Sequence, residues 1–336
     1  MEVVQRRLET GFRSNLSIME YRSIDGLSKP VSRLIQGTML LNTRDPDAAF
    51  ALLDAAMESG CTTLDTGHVY GGGESERILG KWMKSRGNRD QVVLISKSAH
   101  HNVDRRRVTP FDISADIHDS LARLRTDYID LHLLHRDDPA VPVGPIVEAL
   151  NEHLAAGRIR TLGGSNWRSE RIQEANAYAQ AHDLTPFVSS SPHYSLAEEF
   201  DVPWEDGVSI TGPKNQESRN WYLQTQMPVL AWSSLSGGFF SGRIDRENHA
   251  DLMEPNVRAF CHEPNFLRLD RVVELAAQKS ISVPQLALAW VLHQPLNVFP
   301  IVGGATPEEQ QANLEALKIE LTREESDWLD LKSDRR

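Results

Sequence analysis

Cysteine is nearly absent: Cys61 and Cys261 are the only two in 336 residues, too few and too far apart for a disulfide framework or a thiolate metal cluster. A reducing compartment and no bound metal are expected. No apolar run reaches the roughly eighteen residues that a membrane-spanning helix needs, so no membrane partner is expected. Positive charge is in deficit, with 36 Lys and Arg against 47 Asp and Glu, and the net charge of −11 repels a phosphate backbone. The short RRRV at 105–108 is no basic stripe, so no nucleic-acid partner is expected. The opening segment MEVVQRRLETGFRSNLSI carries no apolar stretch of signal-peptide length, and a cytoplasmic location is expected. Strand-like patterning begins at Met19, and residues 1–18 read as an extension outside the fold. What is present is ordinary for a globular chain, 40% hydrophobic and 25% charged residues, and a packed core follows.

Eight β-branched or apolar runs punctuate the chain: 33–39, 61–65, 91–97, 128–135, 159–166, 186–191, 227–234 and 297–303. Between them lie amphipathic stretches of helical length. DPDAAFALLDAAMESG opens on an Asp-Pro cap and closes on Gly60, and ESERILGKWMKSRG has acids in its first turn and bases in its last, as the helix dipole prefers. Alternation on this scale predicts a parallel sheet with right-handed crossovers, and eight units suit a closed (β/α)8 barrel over a single domain, 19–336. MEYRSIDGLSKPVS reads as a hairpin turning at Asp25-Gly26 and plugging the bottom of the barrel. Two connections, 192–226 and 235–263, exceed ordinary loop length and are expected to hold ligands. TREESDWLDLK predicts a closing helix.

Barrel enzymes place reacting groups at the C-terminal ends of strands. Four successive runs end in Asp65, Lys97, His135 and Asn166, and Tyr70 follows closely on the first of these. A buried lysine is costly unless paired, and Asp65 on the adjacent strand supplies the partner. The cation is then expected to lower the phenol pKa of Tyr70 and make it a usable acid, with His135 orienting a carbonyl oxygen. Each residue alone also fits a structural role; their joint placement favours chemistry. His132 and His135 sit an odd number of residues apart, so they face opposite sides of one strand, and His132 reads as structural. The triple glycine 71–73 lacks the spacing of a phosphate loop and shapes a turn. Ser165 and Asn166 at the rim are suited to a carboxamide, and Trp232 at the end of VLAW is placed to stack on a planar ring or to serve in the core. SGGFFSGR with Arg243, and the helix start in VGGATPEEQQAN, are candidate phosphate contacts.

These residues resemble a known family. LDTGHVYGGGESERILG is similar to the aldo-keto reductase signature, VLISKS to its lysine strand, YIDLHLLHRDDP to its histidine strand and GGSN to its Ser-Asn pair. VLAWSSLSGGFFSGR and PIVGGATPEEQQANLEAL resemble its cofactor segments, in the branch that includes potassium-channel β subunits and bacterial reductases. The resemblance implies an NADP(H)-dependent oxidoreductase that interconverts a small carbonyl compound and its alcohol, with Asp65, Tyr70, Lys97 and His135 as the catalytic set. It implies cofactor contacts from Gly37, Thr38, Ser165, Asn166, Ser191, Trp232, Ser233, Leu235, Arg243, Arg258, Gly303 and Asn313, with Asp65 nearby. The chain departs from the pattern in three places. Serine, at Ser191, stands for a usual glutamine; Gly303 and Glu309 stand where a cation often meets the 2′-phosphate, with Ala312 in place of an acid; and Ser234 replaces a proline. The second of these makes NAD(H) a second candidate cofactor. A nucleotide-sensing module with little turnover is the alternative function. For the substrate, His100, His101 and Trp204 are the expected pocket residues, with His193 and Trp221 as further candidates.

Overall fold

The computed structural model describes residues 19–201, 204–249 and 255–336. The expected extension, 1–18, lies outside the described residues. Eight parallel strands close into a barrel in chain order: β3 (Ile35–Gly37), β4 (Thr63–Asp65), β5 (Val93–Ser98), β6 (Ile129–Leu134), β7 (Ile159–Ser165), β8 (Ser189–Ser191), β9 (Val229–Ala231) and β10 (Val298–Val302), which returns to β3. Alternation sorts their side chains into two layers. Ile35, Val93, Ile95, Leu131, Leu133, Leu230 and Phe299 form the cluster inside the barrel, while Leu64, Leu94, Leu134 and Leu162 pack outward beneath the helices. Gly163 is required where β7 meets β8, because a Cβ there would lie 2.5 Å from Ser189 O.

The outer layer begins with α1 (Pro46–Glu58), α2 (Glu74–Arg86), α3 (Pro110–Leu124), α4 (Val143–Ala155) and α5 (Ser169–Ala181). Asp45 caps α1 by accepting from Ala48 N, and Thr109 caps α3 by accepting from Asp112 N, each satisfying a backbone donor the helix leaves open. The connection over 192–226 contains a helix, α6 (Gln216–Thr225), where the sequence suggests only an extended loop. Its sequence QESRNWYLQT buries a single residue, Tyr222, so no apolar stripe marks it; the Tyr222 hydroxyl anchors it on Ser190 Oγ at 2.7 Å. Between β9 and β10 run α7 (Pro255–Arg258), α8 (Glu263–Lys279) and α9 (Val283–Leu292), and α10 (Pro307–Glu315) and α11 (Arg323–Leu329) follow. No helix among the described residues is long and apolar enough to cross a membrane.

Beneath the barrel, β1 (Tyr21–Arg22) pairs antiparallel with β2 (Val31–Ser32). Ile24 and Val31 enter the interior cluster, and full burial of each is worth roughly 1.5–3 kcal/mol. Polar contacts fix the plug to the N-terminal ends of the strands: Ser32 N donates to Thr63 Oγ1 at 3.0 Å, and Lys29 Nζ pairs with Asp130 Oδ1 at 2.6 Å. The barrel is closed at this end, and its other rim carries the ionisable residues.

Candidate active site

Parity along the strands aims the polar residues into the mouth of the barrel. Leu64 packs outward, so Asp65 points in; Ile95 lies in the interior cluster, so Lys97 does too. Lys97 Nζ lies 2.5 Å from Asp65 Oδ1, 2.9 Å from Thr66 O and 3.1 Å from Tyr70 Oη. All three of its donors are engaged. The loop after β4 delivers the tyrosine by crossing the end of β5, where Thr66 N donates to Ile95 O and His68 N to Lys97 O. Gly71, Gly72 and Gly73 all hold positive φ, at 58°, 64° and 90°, and turn the chain from Tyr70 into α2.

Burial controls the ionisation of this group. It pushes the Asp65 carboxyl up, with Lys97 pulling it back. It opposes the charge on Lys97, yet Asp65 and Tyr70 together hold the ammonium above its ordinary value. For Tyr70 burial prevails, and the phenol pKa is raised, with the Lys97 charge opposing. This corrects the expectation of a lowered phenol pKa: the cation is present, but the hydroxyl is too deeply desolvated for it to win, and Asp65 offsets part of its field. His135 is driven well below its ordinary value by burial and by the charges of Lys97 and Arg136, so its ring is neutral. It meets Tyr70 edge-on at 5.5 Å between ring centres. Its Nδ1 is buried without a partner, and Nε2 bonds to none of the described residues, which leaves Nε2 for a ligand. His132 points outward and shares a 2.8 Å hydrogen bond with Ser98 Oγ, the structural role its parity predicts.

The expected cofactor residues divide into those that face open space and those already engaged. Trp232 is partly exposed and its Nε1 is buried with no partner. After it the chain turns at Ser233, Ser236, Gly237 and Gly238 with φ of 49°, 55°, 61° and 99°. A Cβ on Gly238 or on Gly303 would meet nothing within 4 Å. Leu235 is half-buried in this turn, and the Arg243 and Arg258 side chains are exposed. At the start of α10, Thr306 caps the helix, and Asn313 Nδ2 comes within 3.5 Å of a Cβ built on Gly304. Thr38 is different: fully buried, its hydroxyl donates to Asp65 O and bonds Ser75 Oγ, so it supports the site from below. Gly37 pairs in register with Asp65. Ser191 donates inward to Leu230 O. Ser165 donates to Ser191 O, and the Asn166 amide donates to His135 O and Ser165 Oγ and accepts from Val208 N. Glu309 Oε2 accepts from Ala305 N at 2.8 Å, so a carboxylate occupies one of the donors at this helix start.

Of the pocket candidates, His100 packs edge-on against His135 at 4.8 Å and tilted against His101 at 4.3 Å. Ala99, at φ 62°, reverses the chain after β5 and brings them there. Burial lowers the His100 pKa to about 4, so the ring is neutral. Trp204 meets Trp232 edge-on at 5.4 Å. His193 is fully buried behind Trp232, and Trp221 packs between the two large core clusters, so neither lines the mouth. A residue that the sequence reading passes over stands beside them. Arg136, 7% exposed, donates from Nε to Glu205 O and from Nη1 to His135 O.

A plugged (β/α)8 barrel with a desolvated ionisable cluster on its C-terminal rim is an enzyme scaffold of the kind that binds its ligands among the rim loops. The chain matches the model of the Aldo/keto reductase family over residues 33–334 and belongs to that family. It is 31% identical to an aldo-keto reductase, YhdN, of Bacillus subtilis, over 88% of this chain and 87% of the relative. It is 30% identical to an aryl-alcohol dehydrogenase [NADP(+)] of Phanerodontia chrysosporium, over 86% and 77%. An aldo-keto reductase of Klebsiella pneumoniae, solved in complex with NADPH, superimposes with a TM-score of 0.68 at 28% identity, covering 90% of this chain and 91% of that one.

Proposed function

We propose that the protein is an NADP(H)-dependent oxidoreductase that reduces an aldehyde or ketone to its alcohol, or runs the reverse oxidation. The observation that carries this reading is the single ammonium group of Lys97, within hydrogen-bond reach of both Asp65 and the Tyr70 hydroxyl. The reduced nicotinamide supplies hydride to the carbonyl carbon. Tyr70 gives its proton to the carbonyl oxygen, and its raised pKa keeps the phenol protonated, hence a donor, at neutral pH. As negative charge develops on the phenol oxygen, Lys97 stabilises it from 3.1 Å; Asp65 keeps Lys97 charged and aimed. Neutral His135 donates from Nε2 to the same carbonyl oxygen and orients the carbonyl. Trp232 bounds one side of the ring site. With the cofactor bound, Ser233, Leu235 and Arg243 would hold the pyrophosphate, and Arg258, Gly303 and Asn313 would receive the adenosine end. Gly37, Thr38, Ser165, Asn166 and Ser191 shape the floor beneath the carboxamide.

NAD(H) is the second candidate cofactor, because the Glu309 carboxylate sits where an added phosphate would bring like charge. The complete quartet favours turnover over a nucleotide-sensing role. The same reading takes 19–336 as one catalytic domain and the cytoplasm as its location, supported by two free thiols, Cys61 and Cys261. The test is Tyr70→Phe assayed with NADPH and a panel of aldehydes. Carbonyl reduction should fall by roughly 10²–10⁴ while nucleotide affinity changes little; undiminished turnover would remove Tyr70 from the chemistry.

A further inference from the structure

Arg136 is a buried cation that forms no ion pair among the described residues. It follows His135 at the end of β6, and its two protein hydrogen bonds are to main-chain oxygens, Glu205 O at 3.1 Å and His135 O at 2.9 Å. Neither carries a formal charge. Nη2 makes no hydrogen bond to any described residue, and Arg136 has no ion-pair partner among them. The carboxylates close to it do not touch it: Asp137 pairs with Arg171 at 3.2 Å and Asp206 with Arg106 at 2.8 Å, while Asp206 and Glu205 favour the Arg136 charge only from a distance and burial prevails over them. A guanidinium taken out of water at this depth costs several kcal/mol unless something compensates it. Its field reaches the site, since the Arg136 charge acts on Tyr70, on His135 and on His100. Geometry puts it there too: Arg136 follows His135 directly and donates to His135 O, and the His135 ring lies 5.5 Å from that of Tyr70 and 4.8 Å from that of His100.

We infer that Arg136 is a specificity-determining residue whose free Nη2 edge binds a carboxylate on the substrate, so that the preferred substrates are aldehydes or ketones carrying a carboxylate near the carbonyl. This rests on the carbonyl-reductase reading above. An N–H of Nη2 gives a carboxylate a charge-assisted hydrogen bond, stronger than one between neutral groups. A site built around an unpaired buried charge discriminates strongly against an analogue that lacks the complement, because binding that analogue leaves the charge stranded. The neutral ring of His100 walls the same space without competing for the anion.

The experiment compares matched pairs with the wild-type enzyme and NADPH at pH 7.5: 4-formylbenzoate against methyl 4-formylbenzoate, and succinic semialdehyde against butanal. The acid should be preferred by at least about tenfold in kcat/KM, mostly through KM. Arg136→Met should collapse that ratio towards one, and Arg136→Lys should retain part of it; nucleotide binding checks that each variant is folded. If the wild type reduces the neutral aldehydes as well as or better than the acids, the inference is overturned and the reductase reading stands. An unchanged ratio in a folded Arg136→Met overturns it equally. If neither member of any pair is reduced, the function itself is misread and the inference falls with it.

Discussion

Replacing Lys97 by methionine keeps most of the length of the side chain and removes its charge, and the cost can be worked from the pair it breaks. The two side chains are 3% and 4% exposed, so water screens neither. Stripping one partner from a buried ion pair typically costs about 3–5 kcal/mol, because the remaining charge is left desolvated. Here that charge is Asp65, whose carboxyl burial already pushes up. Without Lys97 its folded pKa rises further above the unfolded value of roughly 3.9. The penalty is therefore full at pH values above the folded pKa and fades as the carboxyl takes up a proton on acidification. Urea unfolding followed by tryptophan fluorescence should show Lys97→Met about 3–5 kcal/mol less stable than wild type at pH 8, with a smaller deficit at pH 5. Nucleotide must be omitted, since binding stabilises the native state by mass action. The double variant Asp65→Asn, Lys97→Met should recover much of the loss. A deficit below about 1 kcal/mol at pH 8, or one that does not change with pH, would show that the pair is not the buried, mutually dependent unit described here.

Glu309→Lys frees the Ala305 N–H and reverses the charge at the start of α10; the ratio of NADPH to NADH affinity, read by quenching of tryptophan fluorescence, should rise by about tenfold, or ~1.4 kcal/mol, and an unchanged ratio would place the 2′-phosphate elsewhere. Glu199 is buried with one oxygen unpartnered, and its pKa is pushed up to about 7 by burial. Because the folded value is the higher, the Glu199 contribution declines as pH rises from about 4.5 through about 7, so the stability of the wild type relative to Glu199→Gln should fall by up to about 3 kcal/mol between urea titrations at pH 5 and 8. Parallel profiles for the two proteins would refute the assignment.

Strand ends proved the most legible feature of the sequence. Asp65, Lys97 and His135 could be brought together on paper because each closes an apolar run, and parallel pairing in a barrel leaves successive strand ends adjacent; the same parity separated His132 from His135. Helix α6 was not legible, because its ten residues bury only Tyr222 and its amphipathic signal is weak. The direction of the Tyr70 shift was not legible either. The sequence names the cation but not the depth of the hydroxyl, and the balance between them decides the sign. The hydroxyl of Ser191 looked available at a strand end and turns inward to Leu230 O instead. The role of Arg136 was not legible, because two acids follow it in the chain and only the fold shows Asp137 drawn away to Arg171. An arginine directly after a site histidine was the signal that could have found it.

The hairpin plug also fixes where the chain can be handled. Met19 packs with Leu34, Cys61 and Leu288 on the underside, so a tether or fusion partner joined ahead of Glu20 departs from the end of the molecule remote from Tyr70. Anchored there on a bead or an electrode, the enzyme should present its catalytic rim to the medium and keep its access to substrate.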